Sequence, residues 1–393
     1  MTPQDSQKIR VLVVDDSSVM RRIITTVLAK HPDIELAGYA VNGLQAIEKV
    51  RELRPDVVTL DIEMPEMDGL AALKQIRKEN RLLPIIMCSS LTHANSQATV
   101  MALTAGASDY VGKPTSASGL GPGGTTEAAL QVMEAELLPK IVGLARRRRL
   151  SRAARPDAAP LAERAALAAA SRQPTASCAS SAPSIVLAAP PLVPLPVAAV
   201  VIGVSTGGPM ALLEIFSQLS APVPVPVFIV QHMPASFTKL LAARLAAATV
   251  MDFKEPVHGE APLPGVGYLA PGGQHMALVQ TAGRTSIVLN SDPPENSCRP
   301  AVDVLFRSAA EVYGSSLLAV VLTGMGYDGL KGCQVIRSRH GRVIAQDEES
   351  SVVWGMPGAV AQNQLAEMVL PLGKFAEELA FRTRKISGPR RND

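Results

Sequence analysis

Three side chains in the second half of the chain have the types that nucleophilic hydrolysis requires. Ser205 lies in the sequence GVSTGG, between an apolar run typical of a buried strand and a segment with the apolar spacing of a helix. His232 closely follows the apolar run 225–230, and Asp328 lies in a glycine-rich loop after the apolar run 317–322. A serine nucleophile, a histidine base and an aspartate that orients the histidine form a hydrolytic triad, whatever their order in the chain.

Each of these residues also has a simpler explanation. A glycine-rich strand-to-helix turn is at least as often a phosphate cradle or a plain turn, and a lone histidine such as His232 is often a packed residue. His258 and His275 are competing bases, but neither directly follows a strong apolar run. Asp303 is a second candidate acid. Arg299 could hold a carboxylate or steer an acidic substrate, or it could form only a surface ion pair.

Charged side chains also follow apolar runs in the first half of the chain. Asp15 and Asp16 follow the run 9–14, Asp61 ends the next buried run, and Lys113 follows a later one. Because the carboxyl ends of parallel strands meet at one edge of a sheet, these side chains are expected to converge. Three carboxylates around one hard cation suit Mg²⁺, and Asp61 is the best phosphoryl acceptor because it stands alone at a strand end. For Asp15 and Asp16, helix capping alone is the alternative.

The elements that must position these residues alternate between apolar runs and amphipathic segments in both halves of the chain. Such alternation predicts an α/β protein with two doubly wound parallel-sheet domains joined by a flexible linker. The predicted boundaries are 8–145 for the first domain, 146–196 for the linker, 197–383 for the second domain and 384–393 for a C-terminal tail. The linker opens with four arginines and is rich in alanine and proline, which is typical of a semi-extended segment.

The composition excludes several classes of protein. The 393 residues carry a net charge of +3 from 38 basic and 35 acidic side chains, which leaves no large basic surplus for a nucleic-acid partner. The four cysteines are far apart and without a CxxC spacing, as expected for reduced thiols in a cytoplasmic protein. The sequence contains no uninterrupted run of roughly 18 apolar residues, so no membrane-spanning segment is predicted.

Four motifs in the first half of the chain resemble the receiver domain of bacterial two-component response regulators. They are VVDDS (13–17), LDIEMPEMDG (60–69), MCSS (87–90) and GKP (112–114). The resemblance implies a flavodoxin-like fold that is phosphorylated on Asp61 by a histidine kinase. It further implies Mg²⁺ held by Asp16, Asp61 and the Glu63 carbonyl, a salt-bridging Lys113, and a switch formed by Ser89 and Tyr110.

Five motifs in the second half resemble the catalytic domain of the CheB-type chemotaxis protein-glutamate methylesterases. They are IGVSTGGP (202–209), VQHMP (230–234), YLAPGGQH (268–275), NSCRPAVD (296–303) and TGMGYDG (323–329). The resemblance implies a Rossmann-like esterase domain with Ser205, His232 and Asp328 as its triad and no cofactor for the esterase reaction. Backbone amides near Thr206 and at Met325 are the expected oxyanion donors.

The resemblance also implies a substrate and a mode of control. The substrates would be glutamate γ-methyl esters on chemoreceptors, with methanol released, and receptor glutamines that are deamidated. Without phosphorylation the receiver is expected to cover the active-site face, and phosphorylation of Asp61 is expected to loosen that contact. Two alternatives stay open at this point: a receiver-controlled docking module, and a receiver-controlled nucleic-acid binder, for which the arginine run 146–149 is the only basic candidate.

Overall fold

The structure is a computed structural model, and it describes residues 8–90, 93–114, 126–153, 187 and 196–384. Within these residues, two parallel β-sheets are each accompanied by helices, and an antiparallel hairpin is added to the second half. The predicted α/β class with two doubly wound parallel sheets is therefore confirmed. The hairpin is an element that the sequence reasoning missed.

The N-terminal sheet has five parallel strands in the order β2-β1-β3-β4-β5. Its strands are β1 (Ile9–Val14), β2 (Ile34–Ala40), β3 (Val57–Asp61), β4 (Ile85–Ser89) and β5 (Asp109–Gly112). The helices are α1 (Ser18–Ala29), α2 (Gly43–Leu53), α3 (Gly69–Glu79), α4 (His93–Thr104) and α5 (Thr126–Ala153). Because β1 and β3 are neighbours, Asp15 and Asp61 reach the same edge of the sheet.

Local sequence explains these elements. Strands β3 and β4 read VVTLD and IIMCS, and each of their residues is buried, as expected for strands covered on both faces. Helix α1 begins after Ser17, whose side chain accepts a hydrogen bond from the amide of Met20 at 3.4 Å. The buried residues of α1 keep helical spacing along one face, so the helix packs against the sheet.

The C-terminal sheet has seven parallel strands in the order β14-β13-β12-β6-β7-β9-β8. Its strands are β6 (Ala199–Val204), β7 (Val227–Gln231), β8 (Asp252–Lys254), β9 (Val266–Leu269), β12 (Leu317–Val321), β13 (Arg342–Gln346) and β14 (Met368–Leu370). The hairpin pairs β10 (His275–Thr281) with β11 (Arg284–Asn290). The helices are α6 (Gly208–Ser217), α7 (Ala235–Ala248), α8 (Val302–Tyr313), α9 (Leu330–Ser338), α10 (Met356–Gln362) and α11 (Phe375–Arg382).

The two halves of the protein are in direct contact. Helix α4 of the N-terminal half packs against α6 and α7 of the C-terminal half. Val353 joins the buried apolar cluster of the N-terminal sheet and α5, and Met325 and Val352 pack against that cluster. These contacts lie beside the carboxyl ends of the C-terminal strands, so the N-terminal half covers part of the face where Ser205 lies.

Parts of the sequence predictions fall outside the described residues. The predicted tail 384–393 is described only at its first residue, and the predicted linker 146–196 only at 146–153, 187 and 196. Helix α5 runs through the arginines to Ala153. Among the described residues, no helix has both the length and the apolar character that a membrane span requires.

Candidate active site and phosphorylation site

The turn that carries Ser205 joins β6 to α6. The Ser205 amide donates to the Thr323 carbonyl at 3.0 Å, and the Ser205 carbonyl accepts from the Gly208 amide at 2.8 Å, so the turn is tied to the loop after β12 and closed on itself. Gly207 has φ +79°, a left-handed conformation that favours glycine. A side chain at Gly324 would lie 2.9 Å from the Ser205 Cβ, so a glycine there leaves room for the serine.

His232 and Asp328 meet although 96 residues separate them. His232 Nε2 lies 2.8 Å from Asp328 Oδ2, and the His232 side chain is 14% exposed while that of Asp328 is 3% exposed. Ser205 lies near this pair, because the His232 amide donates to the carbonyl of Val204, the residue before Ser205, at 3.3 Å. The structure therefore brings the strand ends that carry all three predicted triad residues together.

Asp328 is surrounded by hydrogen-bond donors. Its Oδ2 accepts from the Val302 amide at 2.7 Å. Its Oδ1 accepts from the Asp303 amide at 3.1 Å and from the Gly329 amide at 3.0 Å. The side-chain amide of Asn296 donates to the same Oδ1 at 2.8 Å. Such bonds favour the charged form of a carboxylate, so Asp328 is held as an anion in one orientation.

The pKa values of this pair follow from these contacts. Burial lowers the pKa of His232, but the interactions with Asp328 and Cys298 outweigh it and raise that pKa to about 9. Burial raises the pKa of Asp328, but the bond to His232 and the backbone donors outweigh it and hold that pKa below its usual value. The imidazolium that forms when the base takes a proton is therefore stabilised where it stands.

The groups that would take part in the reaction make no other hydrogen bonds among the described residues. Within that part of the chain, the Ser205 hydroxyl makes no hydrogen bond, and the amides of Thr206 and Met325 donate to no acceptor. Because Nε2 of His232 is bonded to Asp328, Nδ1 is the ring nitrogen left to receive a proton. Free amides beside a serine can donate to an oxyanion.

The competing residues have structural partners instead. His275 is 1% exposed and bonded on both ring nitrogens, to the Pro293 carbonyl at 3.2 Å and the Ala301 amide at 3.2 Å. His258 pairs with the backbone of β11. Arg299 donates to the carbonyls of Ser291 and Asp292, so its exposed guanidinium holds the loop after β11.

Sequence reasoning missed two residues of this site, Asn296 and Gln231. Asn296 donates to Asp303 at 2.9 Å as well as to Asp328, and it therefore bridges two buried carboxylates. Gln231 donates through Nε2 to the Ser205 carbonyl at 3.0 Å. Both belong to motifs that were recognised, but nothing in their spacing indicates these partners.

A second constellation lies at the carboxyl ends of the N-terminal strands. Asp15, Asp16 and Asp61 each contribute one carboxylate oxygen, and these three oxygens lie within 4.8 Å of one another. Lys113 Nζ lies 2.9 Å from Asp15 Oδ2 and 2.8 Å from Asp61 Oδ2. Burial raises the pKa of Asp61 to about 6, although the bond to Lys113 opposes the rise. The expected convergence of these residues is therefore observed, and Glu63 follows two residues after Asp61 in the loop beyond β3.

These residues fit a Mg²⁺ ion. Asp15 Oδ2 is paired with the Lys113 ammonium at 2.9 Å, and the three carboxylates together bring one oxygen each to a common point. Carboxylate oxygens are the donors that Mg²⁺ prefers. The open side of the cluster is at Asp16, which is exposed.

The two predicted switch residues lie on β4 and β5, and one of them contacts the C-terminal half. Ser89 is 1% exposed, and its hydroxyl accepts from Thr99 in α4 at 2.9 Å. Tyr110 packs edge-on against Phe237 of α7, with ring centroids 4.8 Å apart. Lys140 lies over the Tyr110 ring, 4.9 Å from its centroid.

Residues next to Tyr110 bond directly to the serine turn. The Ser108 carbonyl accepts from the Gly207 amide at 3.0 Å, and the Asp109 carboxylate accepts from the hydroxyl of Thr206. The Met325 side chain lies against Gly143 of α5, where an added Cβ would be 2.8 Å from it. The N-terminal half therefore touches both predicted oxyanion residues.

Comparison with known proteins assigns both halves. A family model described as CheB methylesterase matches residues 200–379, and one described as a response regulator receiver domain matches residues 11–121. A protein-glutamate methylesterase/protein-glutamine glutaminase of Nocardioides sp. is 47% identical over 374 residues, 95% of each chain. A relative of the same name from Trichodesmium erythraeum is 42% identical over 379 residues, covering 95% of this chain and 99% of its own.

Among solved structures, the CheB methylesterase catalytic domain of Thermotoga maritima is 43% identical, with a TM-score of 0.46 and coverage of 48% of this chain and 99% of its own. The two matched models place a receiver domain before an esterase domain in this chain. The chain therefore belongs to the CheB methylesterase family, as its motifs predicted.

Proposed function

We propose that Ser205, His232 and Asp328 form the catalytic triad of a receiver-regulated esterase that hydrolyses glutamate γ-methyl esters and deamidates glutamines on chemoreceptors. The observation that carries this proposal is the 2.8 Å contact between His232 and an Asp328 carboxylate fixed by four N–H donors. A carboxylate anchored in this way orients an imidazole beside a serine, which is the arrangement that acyl transfer requires.

In the first half of the reaction, Ser205 attacks the ester carbonyl. His232 takes the serine proton and then gives it to the departing methoxide, so that methanol leaves and an acyl-enzyme remains. The amides of Thr206 and Met325 donate to the oxyanion of the tetrahedral intermediate. For a glutamine substrate the same steps release ammonia instead of methanol.

In the second half, water attacks the acyl-enzyme. His232 takes a proton from this water and returns it to Ser205, and the substrate leaves with a free carboxylate. One water is consumed for each methanol or ammonia released. Each proton transfer uses side chains of this chain, so the esterase reaction is proposed to need no cofactor.

We propose that the receiver controls access to Ser205. Contacts from Ser108, Asp109 and Tyr110 reach the serine turn and α7, and a substrate helix needs the same face. Phosphorylation of Asp61 by a histidine kinase would change the packing of Ser89 and Tyr110 and favour separation of the two halves. Couplings of this kind are worth typically about 1–3 kcal/mol.

In the receiver, Asp15, Asp16 and Asp61 would hold Mg²⁺, with the Glu63 carbonyl as the ligand that the family resemblance implies. When bound, the ion neutralises the charge that gathers on a transferring phosphoryl group. Lys113, which is ion-paired with Asp61, would hold the oxygens of the phosphorylated side chain. The cytoplasm is the proposed location of these reactions.

The proposal is tested by measuring methanol release from methylated receptor membranes, with and without a small-molecule phosphodonor. Replacing Ser205 by alanine is expected to lower turnover by about 10⁴- to 10⁶-fold. The matched control is Ser217→Ala, at the other end of α6, which is expected to keep wild-type turnover. Methanol release at a near wild-type rate from the Ser205 variant would refute the assignment.

A further inference from the structure

Cys298 places a thiol beside the proposed catalytic base. A ring nitrogen of His232, the Sγ of Cys298 and a carboxylate oxygen of Asp328 all lie within 4.8 Å of one another. Cys298 carries no disulfide. The proposed esterase mechanism has no use for this thiol.

These three donors form the ligand set of a soft divalent cation. Thiolate, imidazole and carboxylate are the protein ligands of Zn²⁺, at distances of about 2.0 to 2.3 Å, which puts neighbouring ligand atoms roughly 3 to 4 Å apart. The three groups, with ligand atoms within 4.8 Å of one another, need only small side-chain movements to reach that geometry. We propose that His232, Cys298 and Asp328 bind Zn²⁺ or a similar soft cation, and that this cation reversibly inhibits the esterase.

The surroundings of the cluster support a metal site. Ligating carboxylates are usually held by further hydrogen bonds, and Asp328 is held by three backbone amides and by Asn296. Cys298 and His232 are only half-buried, so an ion can reach them from solvent. The thiol proton, and any proton on the bound nitrogen, are released to solvent when the ion binds.

Inhibition follows from the ligand that the ion takes. If it binds Nδ1 of His232, the serine proton has no acceptor; if it binds Nε2, it replaces the hydrogen bond that orients the imidazole on Asp328. Either outcome stops proton transfer. The inhibition depends on the proposed esterase mechanism, whereas the binding of the cation does not.

The protein would then have two cation sites of opposite preference. The receiver cluster of Asp15, Asp16 and Asp61 offers only oxygen and suits Mg²⁺. The thiol and imidazole of the esterase site prefer Zn²⁺ or Co²⁺. Mg²⁺ is therefore expected to leave the esterase uninhibited at concentrations where Zn²⁺ inhibits it.

Binding is measured first, on full-length protein treated with a chelator and then dialysed. Co²⁺ bound to a thiolate absorbs in the near ultraviolet, and this band is expected with wild-type protein and to disappear when Zn²⁺ is added. Cys298→Ala is expected to lose the band and to weaken Zn²⁺ binding at least tenfold. The matched control is Cys333→Ala, since Cys333 is a buried thiol of the same half that is not among the three proposed ligands.

Two further measurements separate the parts of the proposal. The inactive Ser205→Ala protein is expected to bind Co²⁺ as wild type does, so binding is judged without activity. Zn²⁺ is expected to inhibit methanol release by the wild type, and the inhibition constant is expected to rise at least tenfold in Cys298→Ala, each protein being compared with its own rate without metal. No cobalt band in the wild type, a band that survives in Cys298→Ala, or bound Zn²⁺ without inhibition would overturn the proposal.

Discussion

Asp61 and Asp328 both lie at the carboxyl side of two similar sheets, yet their surroundings differ. Asp61 is the last residue of β3 and Asp328 lies in the loop after β12, and each of these buried strands is near the centre of its sheet. Asp61 accepts a single backbone bond, from Ile62 at 2.7 Å, and lies beside another carboxylate and Lys113. Asp328 accepts from three backbone amides, Asn296 and His232.

The difference appears in their proton affinities. Burial raises the pKa of Asp61 to about 6, while the donors around Asp328 keep its pKa below the usual value despite burial. Oδ2 of Asp61 is paired with the Lys113 ammonium and is the oxygen proposed to accept a phosphoryl group, whereas Asp328 is fixed as an anion that orients the proposed base. The local supply of N–H donors, and not the fold, decides which task a strand-end carboxylate performs.

The largest expected effect on turnover is at Asp328, the fixed carboxylate. Asp328→Asn is expected to lower turnover by roughly 10⁴-fold, because the imidazole loses its orienting anion. The pKa of His232 falls at the same time, because burial is no longer opposed by Asp328. In the wild type the neutral base becomes available as pH rises towards about 9, so the inflection of the pH–rate profile is expected to move to lower pH in the variant. An unchanged inflection would mean that Asp328 does not set this pKa.

At Asp61, the proposed phosphoryl acceptor, a loss of regulation is expected. Asp61→Asn cannot be phosphorylated, so activation by a phosphodonor is expected to disappear, a loss of about 5- to 150-fold for a coupling of typical size. The rate without phosphodonor is expected to stay near that of the wild type. Asp33→Asn, an exposed position in the same half, is the control. Persisting activation of the Asp61 variant would place the acceptor elsewhere.

A smaller effect is expected at one of the donors that distinguish the two sites. Asn296→Ala removes the amide shared by Asp303 and Asp328, and about tenfold lower kcat is expected from the loss of a bond to a buried charge. KM is expected to change little, because Asn296 is not proposed to touch the substrate. Asn290→Ala, at the end of β11, serves as the control. A rise in KM with unchanged kcat would contradict a positioning role.

The smallest expected effect is at the contact that joins the two regions. Asp109→Ala removes the acceptor for the Thr206 hydroxyl, and it is expected to raise the rate without phosphodonor a few-fold, since a single contact supplies only part of a coupling of about 1–3 kcal/mol. Glu134→Gln, on the exposed side of α5, is the control. An unchanged basal rate would show that this hydrogen bond does not restrain the esterase.

The sequence was sufficient for the strand ends and the residues they carry. The apolar runs before Asp61, Ser205 and Asp328 predicted buried parallel strands, and the topology then required their carboxyl ends to share an edge. Periodicity could not predict the β10–β11 hairpin, since the buried residues of β10 gather in its first half and β11 has a single buried residue, Ile287. The reason is that burial on both faces leaves a strong local signal, whereas a half-exposed hairpin leaves a weak one.

The chain by itself therefore determined the family, the fold class and the residue types of both proposed sites. Only the tertiary structure decided which partners surround them. Asp109 meets Thr206 across 97 residues, Asn296 reaches Asp328 across 32, and Cys298 comes to lie against His232. Contacts of this kind leave no local pattern in the sequence, because they depend on how separate strands and loops pack against one another.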